Sequence, residues 1–255
     1  MLFTEDVDLS TIELSILVPC LNEDENITQI LQNLTSIIQN NNLDNIEIIV
    51  LDDSSIDKTY NKAIDFAKSN NNSRTNIRIV HRYEPRRGYG AVIRCGIATS
   101  RGKYCIPVSA DMVDPIDLIP IMLEKMRSGT TMVQCNRYTN ANDTITIPFR
   151  YKFYQSIWRF LIKVLLRENI LDTTYSFKMF RRVDSLMLGI TSNGFSISPE
   201  IFLKILLSEG RVEYVSRGQG SRVYGESKFS FMREGFGYSY VLMRAWLHKL
   251  GVLWF

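Results

Sequence analysis

The sequence predicts an α/β chain with a doubly wound, mostly parallel sheet and helices on both faces. Three observations carry that expectation. Over the first 135 residues, short β-branched runs alternate with segments of helical periodicity. One of those runs is almost continuously apolar, as strands buried on both sheet faces are. Several runs end in a polar cluster, and open α/β sheets bind ligands beyond the carboxyl ends of their strands.

The elements follow in order. Ile12–Val18 reads as a first strand ended by Pro19, and the spacing of Ile27, Ile30, Leu31, Leu34, Ile37 and Ile38 predicts an amphipathic helix. Ile46–Leu51 is the near-continuous apolar run; the polar turn Asp52–Thr59 leads from it into a helix through Ala63 and Ala67. Ile77–Val80, a helix over Tyr89–Thr99, Tyr104–Val108, a helix opened by Pro115 and Thr131–Cys135 complete five strands with four helices between them. Arg150–Arg167 reads as a further helix.

Composition narrows the class. At 255 residues, 45% hydrophobic and 22% charged, the chain suits a globular protein with a sizeable core and excludes disordered and fibrous classes. Arg159 and Lys163 interrupt the most apolar stretch, Ile157–Leu166, so no spanning helix is expected. The acidic first residues, MLFTEDVDLS, do not read as a secretory signal, and a place inside the cell is expected. Cys20, Cys95, Cys105 and Cys135 lack metal-site spacing and read as free thiols. Net charge is +3, but residues 1–140 hold 14 Lys and Arg against 18 Asp and Glu, and residues 141–255 hold 16 against 9. A basic later half suits phosphates or anionic lipid. Nothing resembles a nucleic-acid-binding motif, and PCLNEDEN stands where a dehydrogenase needs its glycine-rich turn.

Three strand ends are polar: Pro19, Cys20, Leu21, Asn22 and Glu23; Asp52, Asp53, Ser54, Ser55 and Asp57; Ser109, Ala110, Asp111 and Asp114. Taken singly, each has a plain explanation. Asn22 or Asp24 would cap one helix, Ser54 and Ser55 the next, and Asp114 would be a turn residue before Pro115.

Together and in order they are recognisable. SILVPCLNEDENI is similar to "vPxyNExxnI", IIVLDDSSIDKTY to "vvDDgSxDgT", and RRGYGAVIRCGIATSRGKYCIPVSADMVDP to a Gly-rich helix followed by a D-x-D strand. CNRY, DTTYSFKMFRR and RVYGESKFS are similar to "SRY", "DxTSGFRxFxR" and "RxxGxSK". The chain thus resembles the family 2 glycosyltransferases of the GT-A (Rossmann-like) fold, most closely the dolichyl-phosphate mannose synthase and polyprenyl-phosphate glycosyltransferase branch, over roughly residues 14–230.

That resemblance implies a nucleoside-diphosphate sugar as donor. Pro19, Leu21 and Glu23 would border the base and ribose, Asp53 would accept from the base with Asp52 beside it, and Leu21 stands where the family usually has an aromatic. Ser109, Ala110 and Asp111 occupy the D-A-D-x-Q motif, whose first carboxylate and later amide are replaced by Ser109 and Val113. Asp111 alone would hold a divalent cation, Mg2+ or Mn2+, with donor oxygens completing its shell. Arg137, Arg150, Arg222 and Lys228, with Lys178 in an arginine's place, would neutralise the donor diphosphate and an acceptor phosphate. Arg86 and Arg87 precede Gly88 and Gly90 at a helix start, where free backbone N–H groups favour an anion. Glu200, after Gly194, Phe195 and Pro199, is loosely similar in position to the acidic site after the family's "GF", and otherwise reads as a first-turn acid of a helix opened by Pro199. It would matter as a base only if the acceptor is a hydroxyl, because a lipid phosphate is already ionised.

The expected domain is one unit: residues 1–135 as the donor half, 136–230 as the acceptor side, 231–255 as a C-terminal amphipathic helix. In Arg150–Arg167, Lys152, Arg159, Lys163 and Arg167 form one basic stripe on an aromatic-rich helix, a pattern suited to the cytoplasmic face of an anionic membrane. The implied reaction is inverting sugar transfer to a polyprenyl phosphate. The alternatives are transfer to a saccharide hydroxyl in cell-surface polysaccharide synthesis, and a catalytically silent module that binds nucleotide sugar.

Overall fold

A computed structural model describes residues 12–71, 75–83, 88–138, 149–217 and 231–255. Its centre is a seven-stranded sheet in the order β3-β2-β1-β4-β6-β5-β7. The strands are β1 (Leu14–Cys20), β2 (Ile46–Asp52), β3 (Thr75–His81), β4 (Tyr104–Pro107), β5 (Met132–Asn136), β6 (Lys178–Arg181) and β7 (Val212–Ser216). All neighbours pair parallel except β6, which runs antiparallel between β4 and β5. The helices are α1 (Ile27–Asn40), α2 (Thr59–Asn70), α3 (Tyr89–Thr99), α4 (Ile119–Arg127), α5 (Phe149–Leu166), α6 (Arg182–Met187), α7 (Ile197–Leu207) and α8 (Phe231–Lys249).

The apolar runs are strands because both their faces are covered. Along β1, Leu14, Ile16 and Val18 face one core with α1 and α4, while Leu17 faces a second core with α3, α7 and α8. β2 divides in the same way, Ile48 and Val50 against Ile49 and Leu51. Alternation disappears from a strand that has no wet face.

The five expected strands form, with shifts at the ends. Pro19 lies inside β1 rather than ending it. Val108 donates to Leu17 O and Asp53 to Cys20 O, so alternate residues address opposite neighbours, and Pro19 turns its missing donor toward β4. That strand ends at Pro107, opposite Leu17, so no ladder bond is lost. The helix expected from Pro115 begins later: a 3₁₀ turn covers Ile116–Leu118 and α4 starts at Ile119, with Pro120 in its first turn. All four cysteines are free thiols, three of them buried. Among the described residues no helix is long and apolar enough to cross a membrane.

Candidate active site

Sheet register sets the site. Cys20, Asp52 and His81 are partners across β1, β2 and β3, so the polar strand ends emerge side by side on one rim. A residue with left-handed backbone follows each of β1, β2 and β4: Asn22 at φ 56°, Ser54 at 60° and Met112 at 60°. Asn tolerates that region, whereas for Ser and Met it costs free energy that the surroundings must supply.

The rim residues mainly lock the loops to one another, and only Asp57 among them caps a helix, its Oδ1 accepting from Thr59 N at 2.9 Å. Neither α1 nor α2 has a side-chain bond from its N-cap residue, Asn26 or Lys58. Asn22 instead accepts from Ile56 N at 2.9 Å while its own N–H donates to Ser55 Oγ at 2.9 Å, and Glu23 N donates to Thr59 Oγ1 at 2.8 Å. The Ser54 hydroxyl donates to the Arg82 carbonyl. Pro19, Leu21 and Glu23 remain partly exposed beside this linkage.

Asp52 and Asp53 lie at the end of β2, both buried. Asp52 Oδ2 meets His81 Nδ1 at 2.5 Å and its Oδ1 accepts from Ser55 N at 3.3 Å; Asp53 Oδ1 accepts from Arg82 at 2.6 Å. Each carboxylate thus carries a cationic or ring-nitrogen partner from β3 and the residue after it. His81 and Arg82 escaped the sequence reading as site residues, although their place at and directly after the end of β3 was a usable signal.

Beyond β4, Ser109 and Asp111 are partly exposed and Ala110 is buried. Asp114 lies beneath them, 6% exposed, with Oδ2 accepting from Ser109 N at 2.7 Å and Oδ1 from the Tyr175 hydroxyl at 2.7 Å. Burial pushes its carboxyl up to about 6, against the pull of those hydrogen bonds, with the Asp111 charge adding to the rise. It is thus more than a turn residue before Pro115.

Arg137, just past β5, pairs with the buried Asp172 at 2.8 Å and donates to Thr174 Oγ1 at 2.9 Å; its guanidinium lies 4.4 Å from the Tyr175 ring centroid. Burial opposes its charge, but Asp172, together with Tyr138 and Tyr175, raises its pKa above the ordinary arginine value. Asp172 also accepts from Gln155 at 3.3 Å and from Thr174 N at 3.0 Å. Lys178 is not at the rim. Its ammonium is buried and donates to the carbonyls of Thr173 at 3.0 Å and Ser198 at 2.7 Å, and burial lowers its pKa well below the ordinary lysine value.

Two of the backbone donors expected to be free at the start of α3 are engaged within the protein. Gly90 N and Ala91 N both donate to the carbonyl of Asn193, at 2.8 and 3.2 Å, so those donors are spent within the protein. A Cβ on Gly90 would stand 2.5 Å from Ser192 O, which is why glycine is needed there. Glu200 anchors the same loop. Its buried carboxylate accepts from Thr191 N at 3.0 Å, Thr191 Oγ1 at 3.1 Å and Ser192 N at 2.8 Å and pairs with Lys204 at 3.3 Å; burial raises its pKa but those bonds bring it below the ordinary value. Tyr89 stacks on Phe195, centroids 4.9 Å apart, closing α3 onto this loop. Arg86, Arg87, Arg222 and Lys228 lie outside the described residues, and so does the side chain of Arg150, in the first turn of α5.

Residues 15–185 match the family described as "Glycosyl transferase family 2". The chain belongs to that family. The fold is GT-A, and this glycosyltransferase domain is similar to proteins of the expected branch. It is 27% identical over 220 residues to the dolichol-phosphate mannosyltransferase of Pyrococcus furiosus, covering 85% of this chain and 59% of that protein. It is 26% identical over 185 residues to the dolichyl-phosphate beta-glucosyltransferase of Dictyostelium discoideum, covering 68% and 55%. The chain therefore spans little more than half the length of these relatives. Among solved structures, glucosyl-3-phosphoglycerate synthase from Mycobacterium tuberculosis, in complex with Mn2+, UDP and phosphoglyceric acid, superposes with a TM-score of 0.65 at 18% identity, covering 96% of this chain and 81% of that one. At that identity the likeness is one of fold.

Proposed function

We propose that this domain moves a sugar from a nucleoside-diphosphate sugar to a polyprenyl-type lipid phosphate, with inversion, by one in-line displacement. The observation that carries the reading is the meeting of the family's rim, the ends of β1, β2 and β4, with a later half that resembles proteins named for dolichol-phosphate acceptors. Pro19, Leu21 and Glu23 border the base and ribose, and the Asp52–His81 and Asp53–Arg82 pairs shape that pocket. Ser109 and Ala110 give the diphosphate its turn. Arg87, Arg150, Arg222 and Lys228 supply positive charge to the two phosphates, and Arg137 orders the Asp172–Tyr175 segment beside them. The attacking phosphate oxygen is already ionised, so no base is needed, which fits a Glu200 engaged in holding its loop.

The donor set fits a hard cation. Among the described residues no three metal-ligating side chains cluster, so Asp111 offers a single carboxylate, and Mg2+ or Mn2+ accepts one or two carboxylates with substrate phosphates and water. Bound there, such an ion would neutralise the leaving diphosphate.

The outer face of α5 favours work at a membrane. Phe153, Ile157, Phe160, Leu161 and Val164 are exposed along one arc, while Gln155, Ile162 and Leu166 face inward. At 100° per residue Lys152, Arg159 and Lys163 flank that arc on one side, and Arg167 follows just past the helix end in left-handed backbone at φ 56°. An apolar arc with a basic flank suits the headgroup layer of the cytoplasmic leaflet. The deciding experiment is transfer of labelled sugar from UDP- and GDP-sugars into the organic phase with polyprenyl phosphate as acceptor. Label that appears only in a saccharide product favours a hydroxyl acceptor, and nucleotide binding without transfer to any acceptor leaves a binding module.

A further inference from the structure

Asp114 joins two segments that lie 61 residues apart. One oxygen takes the Ser109 N–H and the other the Tyr175 hydroxyl, each at 2.7 Å. The Ser109 bond closes the turn that carries Asp111 at its tip and Met112 in left-handed backbone. Such a conformation persists only where its surroundings over-determine it. Tyr175 is itself fixed: it is 3% exposed, its ring lies under the Arg137 guanidinium, and its N–H donates to Asp172 at 3.3 Å. Two departures from the motifs that this chain resembles meet here. Ser109 stands in place of a carboxylate, and Tyr175 stands where "DxTSGF" has a serine, whose hydroxyl lacks the reach of a tyrosine's.

We propose that Tyr175 and Asp114 are positioning residues which hold Asp111 toward the cation and the donor diphosphate, a brace that offsets the carboxylate missing at Ser109. Two carboxylates sharing one cation would orient each other; a lone carboxylate takes its orientation from the chain around it. The inference rests on the reading of Asp111 as the cation's carboxylate.

Tyr175→Phe tests it, because the ring stays under Arg137 and only the hydroxyl goes. Calorimetric titration of UDP and of GDP, with Mn2+ and with EDTA, separates cation-supported binding from the rest. The variant is expected to lose about tenfold in nucleotide affinity with Mn2+, the scale of a hydrogen bond to a charged group, and to stay within about twofold of wild type in EDTA. Asp114→Asn should move the same way, and thermal melting reports whether each variant is folded; if one does not fold, the other decides. Equal affinities with Mn2+ in wild type and folded variant overturn the proposal. So does an equal loss with and without Mn2+, the signature of a merely structural role. A wild-type chain whose nucleotide affinity ignores Mn2+ removes the cation from Asp111, and this inference with it.

Discussion

Two carboxylates three residues apart, Asp111 and Asp114, have opposite surroundings and should answer differently to change. Asp111 is partly exposed, with Oδ1 buried, and its charge opposes that of Asp114, so Asp111→Asn keeps the size, removes the repulsion and should leave the melting temperature close to that of wild type. Sugar transfer should fall at least about a hundredfold, since several kcal/mol of charge stabilisation at the diphosphate are lost; a transfer assay beside a melting curve checks both. Asp114 is buried and its carboxyl is raised from 3.8 to about 6. A raised acid favours the folded state while protonated, so its contribution is full below pH 4 and is lost as pH rises through about 6. That span amounts to about 3 kcal/mol. Denaturant unfolding at pH 4.5 and pH 7 should show wild type losing stability between them more steeply than Asp114→Asn, which has no proton to lose. Position after a strand made both residues candidates; the hydroxyl that reaches Asp114 comes from a segment no local pattern connects to it.

At the scale of elements, α3 packs its first turn against the loop over residues 190–196, which takes up the Gly90 and Ala91 N–H groups. Gly90 admits that loop only because it has no side chain. Gly90→Ala should therefore cost about 1–3 kcal/mol of overpacking, although alanine is the better helix former, and thermal unfolding should move down accordingly. Retained stability would mean that the loop yields without loss. The α5 face makes the second test. With Lys152, Arg159, Lys163 and Arg167 all changed to Gln, about 1 kcal/mol of attraction to an anionic surface is lost per residue, and flotation with anionic vesicles should fall away while nucleotide binding stays. Wild type that fails to float at low salt would remove the membrane contact. The helix itself was legible from its periodicity. Which arc faces outward was not, because its apolar residues spread around most of the helix and only packing against α8 selects Ile162 and Leu166 as the inner side.

Across the whole molecule, the two ends of the sheet divide labour. At the amino end Glu47, fully buried, accepts from Ser15 Oγ at 2.5 Å and Arg101 N at 2.6 Å and pairs with Arg78 at 2.8 Å, while the carboxyl end carries the rim. Glu47→Ala removes the partner of Ser15 Oγ, Arg101 N and Arg78 together and should cost about 1–3 kcal/mol, yet calorimetry well below the melting temperature should find nucleotide affinity unchanged. Altered affinity would show the two ends to be coupled. Sequence alone determined the first five strands, their mostly parallel sheet and the polar strand ends, since apolar runs, helical periods and short connections act over neighbouring residues and leave few topologies open. It also carried the family, through motifs whose order is a property of the chain. Tertiary structure decided the rest. β6, four residues beginning with a buried lysine, and β7, VEYVS, lack a run long enough to read, and β6 is a strand because β4 and β5 pair with it on both sides. Likewise the partners of Asp53, Asp114, Arg137 and Glu200 were settled by folding, because a buried charge must find its counterpart in space, and sequence distance does not limit where that counterpart lies.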